Sequence, residues 1–392
     1  MDNFDFHLGS RIHFGRGKVS CLKDEVLGYG TRVFFVYDEI PVKASGLYDQ
    51  IIQVFRDNGI SYAEFTGAEP NPRYQTVDKG VAALKQSGAD CIVVAGGGST
   101  IDCGKAISFG AYHDGSVWDF YCGKATIEKV MPVIAIPTLA ASGAEVSFSA
   151  VLSNMEEKRK IGLRNGKIRP AVAIMDPQFT FSVPPFHTAC GIVDIMSHTY
   201  ETYFAHGDGA VQDGISEAIM YACVQNGRKV MDIPTDYDAR AQLMWAAALS
   251  IAQISSCGRE NRYTIVHTLE HMLSAYYDVV HGAGIAILSI AWFKYALNEK
   301  TAHKFARWGR NVWDIAPGMS DLETGRQAIA KFESFCQELG LPTRLSGLRG
   351  MTITEENITE LVNDLYTTID GSSWFRPVTT KQDLLSIFKL AL

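Results

Sequence analysis

The sequence predicts two domains: an α/β domain built on a parallel sheet over residues 1–185, and an all-α domain over 186–392. Three observations carry this. At 392 residues the chain exceeds what a single hydrophobic core usually organises. Its first half alternates strand-like and helix-like segments, an order that favours a parallel sheet. Beyond Pro184-Pro185 the segments become long, rich in Ala, Leu, Met and Glu, and periodic as helices.

In chain order, Arg32–Tyr37 reads as a strand, 48–57 and 76–87 as helices, and 91–95 as a buried strand. Val133–Pro137 and Val172–Met175 continue the strand pattern, and Ser149–Asn154 with 160–163 reads as a hairpin inserted before the last of them. In the second half, 212–231, 239–254 and 325–339 read as helices. No internal repeat or low-complexity linker interrupts this order.

Composition narrows the function classes. Hydrophobic residues make up 47% and charged residues 20%, which fits an ordered globular protein and not a disordered one. A formal net charge of −7 and the lack of any dense Lys/Arg run argue against nucleic acid or anionic lipid as partners. The most apolar stretch, 282–293, is too short to span a bilayer, so no membrane association is expected. The eight cysteines are scattered without a CxxC pair, and reduced thiols in a cytoplasm are the expectation.

The run 91–95 ends in Gly96-Gly97-Gly98-Ser99-Thr100, and 101–109 looks helical. Glycines let backbone approach an anion closely, and the free N–H groups and dipole of a helix N-terminus favour negative charge there. A nucleotide phosphate fits that position; so does a plain tight turn, since neither GxGxxG nor a P-loop spacing is present. Asp38, directly after Arg32–Tyr37, is placed to accept hydrogen bonds from an adenosine ribose and to repel a 2′-phosphate, or simply ends a strand.

Asp194 and His198 are four apart, so on a helix both leave the same face. His267 and His271 repeat the device, and His281 follows. A single buried histidine is more often a satisfied core residue, but here four histidines and an aspartate lie among apolar residues and require one explanation. Imidazole and carboxylate suit Fe(II) or Zn(II), and three His plus one Asp leave a coordination position for a substrate oxygen. One histidine is then left for proton transfer.

These residues, with His13-Phe14-Gly15-Arg16-Gly17, Glu69-Pro70-Asn71-Pro72, Gly96-Gly97-Gly98-Ser99-Thr100-Ile101-Asp102, Pro137-Thr138, Asp176-Pro177, Asp194-x-x-x-His198, Ser274-Ala275-Tyr276-Tyr277-Asp278 and His281-Gly282, carry a resemblance. Over nearly its whole length the chain resembles the iron-containing (group III) alcohol dehydrogenase family, in its butanol-dehydrogenase-like branch. The resemblance implies a dehydroquinate-synthase-like architecture, with a dinucleotide-binding N-terminal domain and a metal held by Asp194, His198, His267 and His281. It implies that His271 assists proton movement, that Gly97, Gly98, Ser99 and Asp102 hold the pyrophosphate, and that Asn71, Thr138, Leu139, Ser142 and Lys160 line the rest of the cofactor site. A carboxylate repels phosphate, so Asp102 is expected to hold the loop by accepting hydrogen bonds.

The chain departs from the branch in three places. Relatives with NADP preference carry small Gly/Ser residues where this chain has Asp38-Glu39-Ile40-Pro41, so NAD(H) is expected over NADP(H). Asp-Trp before the metal histidine is replaced by Tyr263-Thr264, and the segment after Thr138 reads Ala141-Ser142-Gly143-Ala144-Glu145. The resemblance implies an alcohol or aldehyde as substrate, a homodimer or larger homo-oligomer, and a metal-polarised substrate oxygen exchanging hydride with the nicotinamide.

Three rival classes fit the residues less well. A short-chain dehydrogenase needs a Tyr-x-x-x-Lys pair, which is absent. A lyase of the dehydroquinate-synthase type needs cationic groups around its substrate, and residues 191–210 contain no Lys or Arg. A non-catalytic relative has no reason to keep several costly buried polar groups.

Overall fold

The computed structural model describes residues 3–205, 208–259, 265–348, 350–368 and 380–392. The chain forms two compact units. The first comprises His7–Pro184 and Ile233–Ala252, and the second Pro185–Asp232 and Gln253–Leu392 together with Met1–Phe6.

The α/β unit is built on strands β1 Arg11–Phe14, β2 Arg32–Tyr37, β3 Ser61–Phe65, β4 Cys91–Gly96, β5 Val133–Pro137 and β8 Val172–Met175. They pair in the order β1-β8-β5-β4-β2-β3, all parallel. A separate antiparallel pair, β6 Ser149–Asn154 with β7 Arg159–Arg164, is the hairpin expected before the last strand. The helices of this unit are α1 Leu22–Leu27, α2 Glu39–Ala44, α3 Leu47–Asp57, α4 Tyr74–Ser87, α5 Gly98–Gly110 and α6 Trp118–Tyr121.

Strand alternation explains why both faces are covered. Phe34, Val36, Ile92 and Val94 point into one core cluster, while Val33, Phe35, Tyr37, Cys91, Val93 and Ala95 point into the other. Strands buried on both sides read as continuous apolar runs, which is why β2, β4, β5 and β8 were legible. β1 and β3, the two sheet edges, were not expected. Each is short and carries polar side chains at the edge, as in Glu64 and His13, so neither shows a buried-strand pattern.

One helix of the second half belongs to the α/β unit. Helix α9, Tyr237–Ile251, follows α7 Pro185–Ala205 and α8 Ala210–Asp232 in the chain, yet Met244 and Ala248 pack with Val146, Ala173 and Met175. Trp245 meets Phe14 edge-on at 5.8 Å between ring centroids, and the Arg16 guanidinium lies 3.7 Å from the Tyr237 ring centroid. The units are therefore not separated by a single cut at 185. This helix also stops at Ile251, short of the expected 254, because Gln253 adopts a left-handed φ of 65° that no helix continues through.

The second unit contains α7 and α8, with α10 Val266–Tyr277, α11 His281–Ala296, α12 Ala302–Trp313, α13 Asp321–Glu338, α14 Glu355–Thr368 and α15 Lys381–Ala391. Its described residues form helices and connections only, as expected. Their core is aromatic, with Tyr200, Phe204, Phe293, Phe305, Trp308 and Phe332 in mutual edge-to-face and stacked contact. Among the described residues no helix is long and apolar enough to cross a membrane.

Candidate metal centre and nucleotide edge

Within the α/β unit the strand order reverses between β2 and β4, since β3 lies outside β2 and β5 outside β4. Ligands of such sheets bind beyond the carboxyl ends of the strands at the switch point. The residues at those ends are Asp38 and Gly97, held level by the Tyr37–Ala95 register and by the Asp38 N–H donating to Ala95 O at 3.0 Å. The Thr138 N–H donates to Gly96 O at 3.0 Å, which sets β5 on the other side. Asp38, the glycines and Thr138 thus share one edge.

Helix α5 opens at Gly98 with Gly97 as its cap, with no capping side chain and no acidic residue in the first turn. That leaves an electropositive helix end suited to phosphate. A Cβ at Gly98 would lie 2.4 Å from Ser142 Oγ, so any side chain there would have to turn the Ser142 hydroxyl aside. Asp102 faces away from this role: its Oδ2 accepts the Val151 N–H at 3.0 Å, and its Oδ1 pairs with Lys105 Nζ at 2.9 Å. Lys105 is fully buried and donates to Ser149 O at 2.6 Å, so the pair ties α5 to β6. Lys160 Nζ donates to Asn71 Oδ1 at 2.8 Å, with Asn71 in a left-handed turn at φ 55°. Asp38 is half-buried, and burial pushes its carboxyl above the usual range despite the Ile40 backbone N–H.

The helical unit assembles the other constellation from three helices. Helix α7 supplies Asp194 and His198, α10 supplies His267 and His271, and α11 begins at His281. Gly282 lets α11 approach α7, since a Cβ there would lie 2.4 Å from the Cys190 carbonyl oxygen.

Three ring nitrogens converge on one carboxylate oxygen. From Asp194 Oδ1 the distances are 3.7 Å to His198 Nδ1, 3.6 Å to His267 Nε2 and 3.5 Å to His281 Nε2. These are too long for hydrogen bonds. They suit donors around a shared ion, since tetrahedral ligands at about 2.1 Å from a metal lie about 3.4 Å apart. Asp194 Oδ1, His198 Nδ1 and His267 Nε2 are all buried without a hydrogen-bond partner, a costly condition that a cation relieves. Asp194, His267 and His281 bring ligand atoms within 4.8 Å of one another, as do Glu270, His271 and His281; His198 stands beside the first trio, its ring centroid 4.7 Å from that of His267. His271 stays outside that trio, 5.8 Å between centroids from His281.

The electrostatics point the same way. Burial pushes the Asp194 carboxyl up, but His198, His267 and His281 outweigh it and hold it well below the usual range. Burial pushes His198 down to about 4. It also disfavours a charged His267, yet Glu201 and Asp194 raise that ring to about 10. Ionised carboxylates thus demand positive charge at this place, which a divalent ion with neutral imidazoles supplies.

Two carboxylates here received no role from sequence. Glu201 reaches His267, and Glu270 reaches His281. Each lies three residues after a histidine of the set, His198 and His267, on the same helical face within an apolar run, and that spacing was the available signal. Tyr263 and Thr264 lie outside the described residues.

The chain matches the profile of the iron-containing alcohol dehydrogenase family over residues 9–177 and that of the family's C-terminal domain over 188–392. It is 40% identical over 391 residues, 99% of each chain, to the NADH-dependent butanol dehydrogenase A of Clostridium acetobutylicum. It is 31% identical over 385 residues, 95% of this chain and 98% of the relative, to the NADPH-dependent aldehyde reductase YqhD of Escherichia coli. A solved NADH-dependent butanol dehydrogenase A from Thermotoga maritima superposes with a TM-score of 0.93 at 32% identity, covering 100% of this chain and 99% of that one.

Proposed function

Because the chain belongs to the iron-containing alcohol dehydrogenase family, and is a metal-dependent alcohol dehydrogenase and aldehyde reductase working with a nicotinamide cofactor, we propose that it reduces short aldehydes such as butanal with NADH. The observation that supports this most is the convergence of His198, His267 and His281 on a single Asp194 oxygen.

These four residues would hold the ion; Fe(II) is the occupant proposed, with Zn(II) as its competitor, since the donor set suits both. A bound ion supplies Lewis-acid polarisation of the alcohol or aldehyde oxygen, and the nicotinamide supplies or accepts the hydride. Asp194 contributes the anionic donor, and a ring nitrogen of His271 moves the proton that accompanies hydride transfer. Backbone N–H groups at Gly97, Gly98 and Ser99 bind the pyrophosphate, with Thr138, Leu139, Ser142 and the Lys160–Asn71 pair lining the nucleotide site and Asp102 bracing the loop.

Asp38 favours NAD(H), because its carboxylate accepts ribose hydroxyls and repels a 2′-phosphate. Two relatives named NADH-dependent butanol dehydrogenase, at 40% and 38% identity, support that choice. The eight unpaired cysteines support a reducing cytoplasm. A homodimer or larger assembly is proposed on exposed apolar side chains such as Val211 and Tyr221 of α8, and sedimentation measures it.

The deciding experiment is butanal reduction by purified protein with NADH and NADPH in parallel, before and after chelation, with Fe(II) or Zn(II) added back. Turnover lost on chelation and restored by metal, with NADH preferred, is expected. Turnover indifferent to chelation would reject the metal assignment, and equal rates with both nucleotides would reject the reading of Asp38.

A further inference from the structure

We propose that Glu201 and Glu270 are positioning residues of the metal centre: each clamps the Nδ1 of one histidine so that its Nε2 presents a lone pair toward Asp194. The proposal rests on the metal reading above and assigns a function to two carboxylates that reading does not use.

Burial is the first argument. Glu201 is 3% exposed and Glu270 fully buried, positions where an acid is costly unless its oxygens are occupied. Both acids occupy them on the same task. Glu201 Oε2 meets His267 Nδ1 at 2.5 Å, while Oε1 accepts the His267 backbone N–H at 3.1 Å. Glu270 Oε2 meets His281 Nδ1, while Oε1 accepts the Ser274 hydroxyl. Space for Glu270 comes from Gly284, where a Cβ would lie 2.9 Å from the glutamate Cγ.

Orientation is the second. An imidazole that donates from Nδ1 keeps Nε2 as its acceptor, and a carboxylate partner fixes both the tautomer and the ring plane. In both rings the other nitrogen, Nε2, is the atom that faces Asp194 Oδ1, at 3.6 and 3.5 Å. The two clamps also follow the chain: Glu201 on α7 holds a ring of α10, and Glu270 on α10 holds the ring that opens α11. Each of these two rings is thus held by a helix that precedes its own in the chain.

The two glutamates differ in what an amide could replace. Glutamine at 201 offers one acceptor oxygen to two donors, the His267 N–H and Nδ1–H, so one of them is left facing an NH2 group. Glutamine at 270 can still accept from His281, because the Ser274 hydroxyl, 3.0 Å from Val279 O, can donate there and accept from the new amide.

The test uses full-length protein stripped by chelation and titrated with Co(II) against a competing chelator, reading affinity and the visible absorption of the bound ion. Glu201→Gln and Glu270→Gln should bind Co(II) about 10- to 100-fold more weakly, with an altered spectrum and the larger loss at 201. Ser274→Ala, which touches no ligand, should show a smaller loss in the same direction. A purely structural role would lower the melting temperature of the metal-free variants while the folded protein kept wild-type affinity and spectrum, and that result overturns the proposal. Failure of the wild-type protein to bind Co(II) would remove the metal reading along with it. Tight wild-type binding with weakened variants but no aldehyde turnover would uphold the clamps and sink only the functional reading.

Discussion

At the residue scale the centre depends on Asp194, whose Oδ1 is the point on which three imidazoles converge. His267 and His271 are neighbours on one helix face with different expected roles. His267→Ala should abolish metal binding and turnover together, whereas His271→Ala should keep the metal and mainly slow kcat, as metal content and steady-state kinetics would reveal. Retained metal in the first variant, or lost metal in the second, would reverse the assignment. Asp38→Gly should raise the NADPH to NADH rate ratio, by about 10-fold if roughly 1.4 kcal/mol of repulsion is removed. A residue outside the reaction gives a pH prediction. Burial raises the Glu145 carboxyl to about 7 from its ordinary 4.5. The folded state therefore holds this proton longer than the unfolded state, so the stability it contributes is present below pH 4.5 and is lost as pH rises through about 7. Glu145→Gln should stabilise the protein by about 1–3 kcal/mol at pH 8, with the gain vanishing near pH 4; denaturant melts at both values check it.

At the element scale, helix ends and close approaches do the placing. Helix α5 puts a glycine cap and an acid-free first turn at the sheet edge, and α11 puts His281 at its first position. The approach of α11 to α7 is set by Gly282 against the Cys190 backbone. Backbone cannot yield as a flexible side chain can, so Gly282→Ala should cost about 1–3 kcal/mol and weaken metal affinity by displacing His281. Wild-type melting and wild-type Co(II) affinity in that variant would contradict it. The strands legible from sequence were those buried on both faces, and the ones missed were the two edges, where a half-polar run such as Ser61–Phe65 shows no continuous apolar stretch. Helix α9 was legible as a helix, but its apolar face does not state which unit it covers; Met244 and Ala248 do so only through their contacts with Val146, Ala173 and Met175.

At the scale of the whole molecule, metal binding and folding are linked. The proposed ligands come from α7, α10 and α11, and no unfolded chain brings these together, so a bound ion stabilises the native state by about 4 kcal/mol when its free concentration is a thousand times Kd. Chelation should therefore lower the melting temperature of the helical unit by on the order of 10 °C, reversibly on adding metal back. Calorimetry with and without chelator measures this, and an unchanged transition would count against a structural contribution from the ion. The full-length likeness to butanol dehydrogenases also decides between the enzyme classes that the fold alone left open, in favour of hydride transfer over a lyase reaction.

Sequence by itself determined the chemistry available: Asp194 and His198 share a helix face, His267 and His271 share another, and Gly97-Gly98 opens a helix after a buried strand, because spacing on a regular helix or strand is local geometry. The cluster of Asp194 with four histidines was legible among the residues, as were the four inner strands, whereas the choice of His198, His267 and His281 as its metal partners came from the family resemblance. Which nitrogens meet, that His198 stands beside the trio of Asp194, His267 and His281, and that Glu201 and Glu270 back His267 and His281 follow from the packing of the folded chain alone. Those facts depend on how close α7, α10 and α11 approach and on which ring atom each side chain presents. Such long-range packing leaves no periodic trace in the chain, and a buried glutamate looks like any other until the histidine it holds has been brought to it.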